Sequence, residues 1–296
     1  MERMKASDFD QRALDWYDEY AHGRLSRRDF AQRIATLAIG GLTAETLIQS
    51  LTPNYTWAQQ IPTDDSRIKT ETFEYESPKG GGKLNGHLAR PAIENKSFPA
   101  VLVIHENRGL NPHIEDVTRR AALAGYLALA PDALSPLGGT PADADQARDM
   151  FQKLDASKNL NNFIKAFDYL KSRKDGNGKF GTVGFCWGGG IVNQLAVNVP
   201  DLKAAVAFYG RQPESADVYR IKAAVQLHYA GTDERINAGI AAYEEALKKA
   251  KVTHELYSYE GAQHAFHNDT APTRYNEAAA KLAWERTLAF FKKYLS

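Results

Sequence analysis

The chain of 296 residues has little of three features that would narrow its class at once: cysteine, charge of one sign and long apolar runs. The single cysteine excludes an intramolecular disulfide and a zinc site built on cysteines. The 37 basic and 36 acidic residues nearly balance and form no basic stripe, which removes any general electrostatic reason to bind nucleic acid. The longest uncharged apolar run, residues 34–44, is far short of the roughly 20 residues that span a bilayer.

The composition that is present is that of an ordinary folded protein. Hydrophobic residues make up 43% and charged residues 25% of the chain, which excludes wholesale disorder. We find no internal repeat and no low-complexity tract. At roughly 150 residues per domain, the length fits one large domain or two small ones.

Residues 1–65 are predicted to form a helical extension with a linker, ahead of a main domain that covers residues 66–296. Residues 8–20 have the pattern of an amphipathic helix with an aromatic face that includes Trp16, Tyr17 and Tyr20. We expect such a helix to dock on the main domain or on a partner subunit, so a homodimer through the extension is a hypothesis. Residues 53–65 are polar and contain two prolines, which is typical of a linker.

A second interpretation of the same region is an export signal. Arg27 and Arg28 stand ahead of the modest apolar run, as in twin-arginine signals, and small residues follow near Ala58. Glu45 interrupts the run, and the residues before the arginines are strongly acidic. Retention in the cytoplasm is therefore favoured, with export to the periplasm as the alternative.

The main domain alternates between strand and helix patterns. A hairpin is predicted at residues 70–75 and 84–89, and residues 100–104 read as a strand buried on both faces. Further strands are predicted at residues 126–130, 180–185, 204–208, 224–229 and 253–259. Helices are predicted at residues 114–124, 142–154, 160–172, 188–199, 237–250 and 273–294. This alternation predicts an α/β protein, with a mostly parallel central sheet flanked by helices on both faces.

The cysteine lies in the segment Gly184-Phe185-Cys186-Trp187-Gly188, between a predicted strand and a predicted helix. Gly-x-Cys-x-Gly at such a junction is typical of a nucleophile on a sharp turn, because glycines on either side remove side chains that would clash. The following helix N-terminus stabilises a thiolate and a nearby oxyanion. The alternative is a small buried hydrophobic residue, which is what a free cysteine most often is.

A nucleophile needs a base and a residue that orients the base. Asp233 follows the strand at residues 224–229, and His264 follows the strand at residues 253–259, in the order nucleophile, acid, histidine. Glu234 and His267 are their neighbouring rivals, and Asp233 could instead be a turn or capping aspartate. His264 and His267 could also suggest a metal pair, but no third ligand accompanies them, and we expect no metal and no other cofactor.

The segment His105-Glu106-Asn107-Arg108-Gly109 follows the buried strand at residues 100–104. Hydrolases of this architecture draw their second oxyanion donor from this place. Charged residues at a buried strand end need partners. Glu106 therefore either pairs with Arg108 or another arginine, or lies beside Cys186.

Together these segments resemble the dienelactone hydrolase family, the carboxymethylenebutenolidases of the α/β-hydrolase superfamily. The resemblance covers residue 70 to the C-terminus. It rests on six segments: His105-Glu106-Asn107-Arg108-Gly109-Leu110, Ala130-Pro131-Asp132, Gly184-Phe185-Cys186-Trp187-Gly188-Gly189, Phe208-Tyr209-Gly210, Gly231-Thr232-Asp233 and Gly261-Ala262-Gln263-His264-Ala265-Phe266. It implies an α/β-hydrolase fold and a triad of Cys186, His264 and Asp233.

The resemblance also implies that Glu106 holds the resting thiol until substrate displaces it, and that the backbone N–H groups of Trp187 and Asn107 bind the oxyanion. Family members that act on dienelactone carry a substrate-binding arginine four residues after the triad histidine, where this chain has Asn268. The residues that we expect to contact the substrate are Arg108, Arg211, Tyr209 and Asn268.

The function predicted on these grounds is hydrolysis of a small-molecule lactone or carboxylic ester through a thioester intermediate. A broad-specificity esterase is the first alternative. A binding or redox-sensing protein that keeps the fold without turnover is the second.

Overall fold

A central β-sheet organises the chain in the computed structural model, which describes residues 5–37 and 43–296. Its eight strands are β1 (Ile68–Ser77), β2 (Gly82–Pro91), β3 (Phe98–Ile104), β4 (Leu127–Pro131), β5 (Gly176–Phe185), β6 (Ala204–Phe208), β7 (Ala224–Ala230) and β8 (His254–Tyr259). Their order across the sheet is β1-β2-β4-β3-β5-β6-β7-β8. The pairs β1–β2 and β2–β4 are antiparallel and the others are parallel, so the predicted mostly parallel sheet is confirmed.

Helices cover both faces of the sheet. The helices are α1 (Gln11–Ala21), α2 (Arg27–Ala35), α3 (Ala44–Leu51), α4 (Pro112–Leu123), α5 (Ala144–Phe151), α6 (Ala156–Ser172), α7 (Trp187–Asn198), α8 (Glu234–Asn237), α9 (Ile240–Lys249) and α10 (Glu277–Leu295). One hydrophobic cluster joins the sheet to α6, α7 and α9, and a second joins it to α4 and α10. The central strand β3 has six of its seven residues buried, as expected for a strand covered on both faces.

Several predicted helix boundaries are wrong, among them the start of α6, which lies at Ala156 rather than at residue 160, and the end of α5, which lies at Phe151 rather than at residue 154. The single helix predicted over residues 237–250 is divided, since α8 ends at Asn237 and α9 begins only at Ile240, after Gly239. The last helix begins at Glu277 rather than at Thr273. The side chain of Asn276 accepts a hydrogen bond from the backbone N–H of Ala279, and this N-cap sets where the helix starts.

The N-terminal extension forms α1, α2 and α3, which share a hydrophobic cluster of their own. Tyr17, Tyr20 and Phe30 lie in it, with the rings of Tyr20 and Phe30 stacked at 4.7 Å. The aromatic face of α1 is therefore buried within this chain, on the main domain and the other two helices. Dimerisation through the extension stays a prediction.

Polar contacts fix α1 to the main domain. The Asn107 side chain donates to the backbone oxygen of Ala21 at 2.8 Å. The guanidinium of Arg148 lies 4.3 Å from the centre of the Tyr20 ring, and that of Arg274 lies 4.6 Å from the Tyr17 ring. These contacts place the C-terminal end of α1 over the carboxyl end of the sheet.

The segment between the extension and β1 is also held by the main domain. Buried Asp116 of α4 accepts hydrogen bonds from the backbone N–H groups of Gln60 and Ile61, while Arg119 donates to the backbone oxygen of Ile61. Asp116 also pairs with Arg120. The predicted linker is thus anchored by a buried charged group.

Within residues 5–37 and 43–296, no helix combines the length and the apolar character needed to cross a bilayer. Arg27 and Arg28 form the first turn of α2, where the side chain of Ser26 caps the helix by accepting from the Asp29 N–H. The apolar part of the export hypothesis, residues 34–44, lies partly outside the described residues. Cytoplasmic retention and periplasmic export both stay predictions.

Replacing Asp116 with alanine is expected to lower the free energy of unfolding by about 3–5 kcal/mol, because Arg120 and two backbone N–H groups would lose a buried partner. The measurement is denaturant unfolding at equilibrium. The control is Asp168→Ala, which removes an exposed ion pair with Lys165 and should change the free energy by less than about 1 kcal/mol. Equal effects of the two variants would contradict the anchoring role of Asp116.

Candidate active site

The residues singled out by the sequence meet at one edge of the sheet. They follow the carboxyl ends of five parallel strands, namely Glu106 and Asn107 after β3, Cys186 after β5, Tyr209 after β6, Asp233 after β7 and His264 after β8. Carboxyl ends of parallel strands share one edge, which is where open α/β sheets bind ligands. The topology therefore brings residues that are far apart in sequence to one site.

Cys186 lies on a strained turn between β5 and α7, with φ 54° and ψ −115°. A Cβ atom added at Gly184 would lie 2.4 Å from the backbone oxygen of Gly188, and one added at Gly188 would lie 2.5 Å from the backbone oxygens of Ile104 and His105. Only glycine permits such close approach of the backbone. The strained strand-to-helix turn predicted from the glycine spacing is present.

His264 and Asp233 form a buried pair. The Nδ1 atom of His264 lies 2.5 Å from the Oδ2 atom of Asp233, whose other oxygen accepts from the Ile236 N–H and caps α8. Asp233 therefore fixes the orientation of the imidazole and leaves its Nε2 atom free to face the sulfur. The rival Glu234 is exposed.

Two imidazoles lie beside the sulfur of Cys186, and the donor atoms of the three residues lie within 4.8 Å of one another. The Nε2 atom of His22 lies 3.8 Å from Sγ, and the Nε2 atoms of His22 and His264 are 3.3 Å apart. Burial raises the pKa of the Cys186 thiol, but the facing His264 and His22 outweigh burial and lower it to about 6. Burial lowers the pKa of His264, whereas the thiolate and Asp233 together raise it to about 10. The arrangement favours a thiolate beside an imidazolium.

His22 is the residue that sequence reasoning missed. It follows the last residue of α1 and is oriented by Asp18, whose backbone oxygen lies 2.8 Å and whose Oδ1 atom lies 3.3 Å from the Nδ1 atom of His22. Burial lowers the pKa of His22, and the contact with Asp18 outweighs this and raises it. Nothing in the sequence around residue 22 connects it to Cys186, because the contact arises only when α1 docks.

Glu106 is engaged by side chains other than the cysteine. Its Oε2 atom accepts from the Nδ2 atom of Asn268 at 2.8 Å, and its Oε1 atom accepts from the hydroxyl of Tyr209 at 3.5 Å. Among the described residues Glu106 forms no ion pair, so the pairing with Arg108 considered above does not occur. The role of Glu106 toward the resting thiol stays a prediction.

Arg108 points away from the nucleophile. It is buried, and its Nη1 atom lies 3.2 Å from Oδ1 of Asp145 on α5. Arg211 is exposed and lines the cavity in front of the sulfur together with Arg235. The structure thus places Arg211, and not Arg108, where it can meet a molecule bound near Cys186.

The cavity in front of the sulfur measures about 210 Å³. It is lined by His22, Asn107, Cys186, Trp187, Tyr209, Arg211, Arg235, Ile236 and His264. Trp187 is the first residue of α7, so its backbone N–H belongs to the unpaired donors of a helix N-terminus. Asn107 follows β3 and lines the same cavity as Trp187.

Two other histidines near the site are structural. The Nε2 atom of His105 accepts from the Ala133 N–H at 3.1 Å, and its ring stacks on Trp187 at 5.5 Å. His267 is buried against Phe185, with ring centres 4.8 Å apart, and burial holds its pKa well below the usual value. His267 is therefore no rival to His264 for the sulfur.

One group of side chains has the composition of a metal site. The donor atoms of His22, Cys186 and His264 all lie within 4.8 Å of one another. Imidazole nitrogen and thiolate sulfur are the donors that Zn²⁺ prefers. In the described part of the chain, these are the residues that could hold a metal ion.

A cysteine on a strained turn at the edge of a mostly parallel sheet, with a histidine and an acid after later strands, is the arrangement typical of α/β hydrolases. The family comparison agrees with the geometry, since the model of the dienelactone hydrolase family matches residues 84–295. The chain belongs to the dienelactone hydrolase family, and it is a hydrolase.

Curated relatives carry the corresponding names. A protein of Saccharolobus solfataricus, provisionally named carboxymethylenebutenolidase, is 34% identical over 251 residues, which are 72% of this chain and 95% of the relative. A provisionally named carboxymethylenebutenolidase of Escherichia coli is 33% identical over 232 residues, 73% of this chain and 85% of the relative. A hydrolase fragment of Escherichia coli, YghX, is 50% identical over 114 residues, 38% of this chain and 97% of the relative.

Solved structures confirm the α/β-hydrolase fold. A provisionally named dienelactone hydrolase from Klebsiella pneumoniae superposes with a TM-score of 0.67 at 30% identity, covering 76% of this chain and all of the other. The metagenomic dienelactone hydrolase-like phosphotriesterase P91 gives a TM-score of 0.70 at 22% identity, over 78% of this chain and 100% of the other, which supports the fold alone. A separate family model, YqhI-like, matches residues 1–38 of the extension.

Replacing Gly188 with alanine is expected to destabilise the protein by several kcal/mol, because its Cβ would lie 2.5 Å from two backbone oxygens. The matched control is Gly190→Ala in the same helix, where the nearest atom would be 3.6 Å from the added Cβ. Alanine favours a helix over glycine by up to about 1 kcal/mol, so this control should be neutral or stabilising. Thermal and denaturant unfolding measure the stability of the two variants. A harmless Gly188→Ala would contradict the close approach at the turn.

Proposed function

We propose that the chain hydrolyses small carboxylic esters or lactones through a thioester on Cys186, with His264 as acid and base and Asp233 as the residue that orients it. The observation that carries this proposal is the geometry around the sulfur. Cys186 stands on a glycine-flanked turn, and it faces an imidazole whose far nitrogen is held by a buried carboxylate.

Attack begins from the thiolate, which the imidazoles beside the sulfur favour at neutral pH. Sγ forms a bond with the carbonyl carbon, the bond from that carbon to the leaving oxygen breaks, and the leaving oxygen takes the proton from Nε2 of His264. Water then attacks the thioester and gives a proton to His264, and the C–S bond breaks to release the carboxylic acid and the thiolate.

The negative charge that develops on the carbonyl oxygen needs donors on both sides of the sulfur. Trp187 is the first residue of α7, so its backbone N–H lies at the positive end of the helix dipole. Asn107, which follows β3, lines the same cavity. We assign the two backbone N–H groups of these residues to the oxyanion. The side chain of Asn107 has a different task, since it binds the extension through Ala21.

The size and charge of the cavity support a small substrate that bears an anionic group. About 210 Å³ is less than the 300–1,000 Å³ typical of sites for drug-sized molecules. Arg211 and Arg235 are the cations at its wall. Tyr209 lines the cavity itself, and it holds Glu106 together with Asn268.

A thiolate is a good leaving group as well as a good nucleophile, so the site suits activated esters and enol lactones better than amides. The test is a panel of aryl esters, enol lactones and peptides offered to the full chain. Turnover of esters or lactones with slow cleavage of peptides supports the proposal. A marked preference for enol lactones over aryl esters separates a lactonase from a broad-specificity esterase, and peptide cleavage at the same rate as ester cleavage would count against the mechanism.

Cys186→Ala is expected to lower kcat/KM for the best ester by at least about 1,000-fold, because the covalent step is lost. Asp233→Asn should also lower kcat, because the imidazole loses the carboxylate that fixes its orientation and stabilises its charge. The exposed Asp217→Asn is the control and should leave the kinetics unchanged. Retention of full activity in Cys186→Ala would exclude the sulfur as the nucleophile.

The thiol is expected to react with iodoacetamide with a midpoint near pH 6 in the folded, chelator-treated protein, since its pKa is lowered to about 6 from the ordinary 9.0. Thiolate is the reacting form, so the rate should rise as pH increases through this value. Because Cys186 is the single cysteine, the same protein in denaturant supplies the control, with an ordinary midpoint. A folded-state midpoint as high as the unfolded one would contradict thiolate formation.

A further inference from the structure

The sulfur of Cys186 is shared between two parts of the chain. His264 reaches it from the main domain, and His22 reaches it from the extension. The proposed hydrolysis uses the sulfur, His264 and Asp233, and it leaves His22 and Asp18 without a task. A buried imidazole aimed at a thiol, with its own carboxylate behind it, calls for a separate explanation.

The separations between the three donor atoms are close to those of a tetrahedral zinc site. Bond lengths of about 2.05 Å for Zn–N and about 2.3 Å for Zn–S give ideal edges of about 3.3 Å between nitrogens and about 3.5 Å between nitrogen and sulfur. The two Nε2 atoms are 3.3 Å apart, and His22 Nε2 is 3.8 Å from Sγ. The remaining separation, from Sγ to the His264 nitrogen, is within 4.8 Å, and it would shorten by up to about 1.3 Å when a metal binds.

The second nitrogen of each imidazole is held by a carboxylate, as is usual for histidines that bind metals. Asp18 Oδ1 lies 3.3 Å from Nδ1 of His22, and Asp233 Oδ2 lies 2.5 Å from Nδ1 of His264. Both contacts therefore leave the Nε2 atoms directed at the sulfur side. The two pairs differ in geometry, because Nδ1 of His22 also lies 2.8 Å from the backbone oxygen of Asp18.

Burial adds to this arrangement. Cys186 and His264 are 9% and 6% exposed, and the side chain of His22 is 14% exposed, so water competes little for the three donors. The cavity of about 210 Å³ adjoins the sulfur and leaves room for a fourth ligand such as water. Three protein ligands with one open position are a common zinc arrangement.

One neighbouring charge opposes a cation. The Nη2 atom of Arg235 lies 3.3 Å from Nε2 of His22. Arg235 is exposed, so its guanidinium can turn toward solvent when a metal arrives. Any proton on either Nε2 atom must leave as well, and metal binding therefore releases protons.

We propose that His22, Cys186 and His264 form a binding site for a thiophilic divalent cation of the Zn²⁺ type, in which the metal clamps the extension onto the main domain and blocks the nucleophile. Binding forms two metal–nitrogen bonds and one metal–sulfur bond, displaces the protons held by these groups, and changes no oxidation state. A chelator reverses it. The binding site goes beyond the proposed function, whereas the inhibition rests on it.

The proposed site departs from the expectation of no metal, which was based on the single cysteine and on the lack of a third ligand beside His264 and His267, and which stays a prediction. His22 is that third ligand, in place of His267. It could not be recognised from the sequence, because it lies 164 residues before the sulfur.

The test uses the full chain, stripped with a chelator and dialysed, with Co²⁺ as a spectroscopic probe and Zn²⁺ as its competitor. We expect one equivalent of Co²⁺ to give a thiolate-to-cobalt charge-transfer band and the visible bands of tetrahedral cobalt, and Zn²⁺ to remove both. Zn²⁺ should also raise the melting temperature, because it binds only the folded, docked chain. Ester turnover should fall with the fraction of bound metal and return with chelator.

Variants assign the ligands. His22→Gln is expected to weaken Co²⁺ binding by more than about 100-fold, since loss of an outer-shell carboxylate alone costs 10–100-fold. His254→Gln, a half-buried histidine at the start of β8, is the matched control and should bind as the unaltered chain does. Arg235→Ala removes the opposing charge and should tighten binding by about fivefold or more. Circular dichroism establishes that each variant is folded, and Cys186→Ser should lose the charge-transfer band even if His22→Gln fails to fold.

The outcomes separate the two proposals. A charge-transfer band at one equivalent that is lost in His22→Gln and kept in His254→Gln supports the site. Absence of tight binding to the unaltered chain, or equal binding by His22→Gln, overturns it. If the metal-free chain turns over esters but binds no metal, the proposed function is supported and the metal site is not. If the chain binds the metal but turns over no ester, the metal site is supported and the proposed function is not.

Discussion

The close backbone approach at the turn after β5 is the constraint on which the rest of this site depends. Gly184 and Gly188 touch other backbone atoms so closely that no side chain fits, and this contact forces Cys186 to a positive φ. The strain lifts the sulfur above the sheet edge, at the start of α7.

The parallel sheet supplies the partners of that sulfur. Because β3, β5, β6, β7 and β8 run in the same direction, the residues after them meet at one edge although up to 158 positions of sequence separate Glu106 from His264. The orientation of His264 then depends on one carboxylate, Asp233, which also caps α8. The acid is thus fixed by the backbone as well as by its partner.

The extension contributes a residue, His22, to the cavity in front of the sulfur. Docking of α1 through Asn107, Arg148 and Arg274 brings His22 to the sulfur and narrows the cavity. The same docking gives the nucleophile a second imidazole with its own carboxylate, and this is the arrangement that we interpret as a metal site. In our two proposals, hydrolysis and metal binding compete for one thiolate, which the extension approaches through His22.

The sequence by itself determined the α/β fold, the turn at Cys186 and the order in which Cys186, Asp233 and His264 follow the strands. These features are local, because hydrophobic periodicity and glycine spacing are read within a few residues. Only the tertiary structure decided that His22 faces the sulfur, that Asn268 rather than an arginine holds Glu106, and that Arg108 pairs with Asp145. Each of these contacts joins residues from distant segments, and it exists only once helix docking and loop packing bring those segments together.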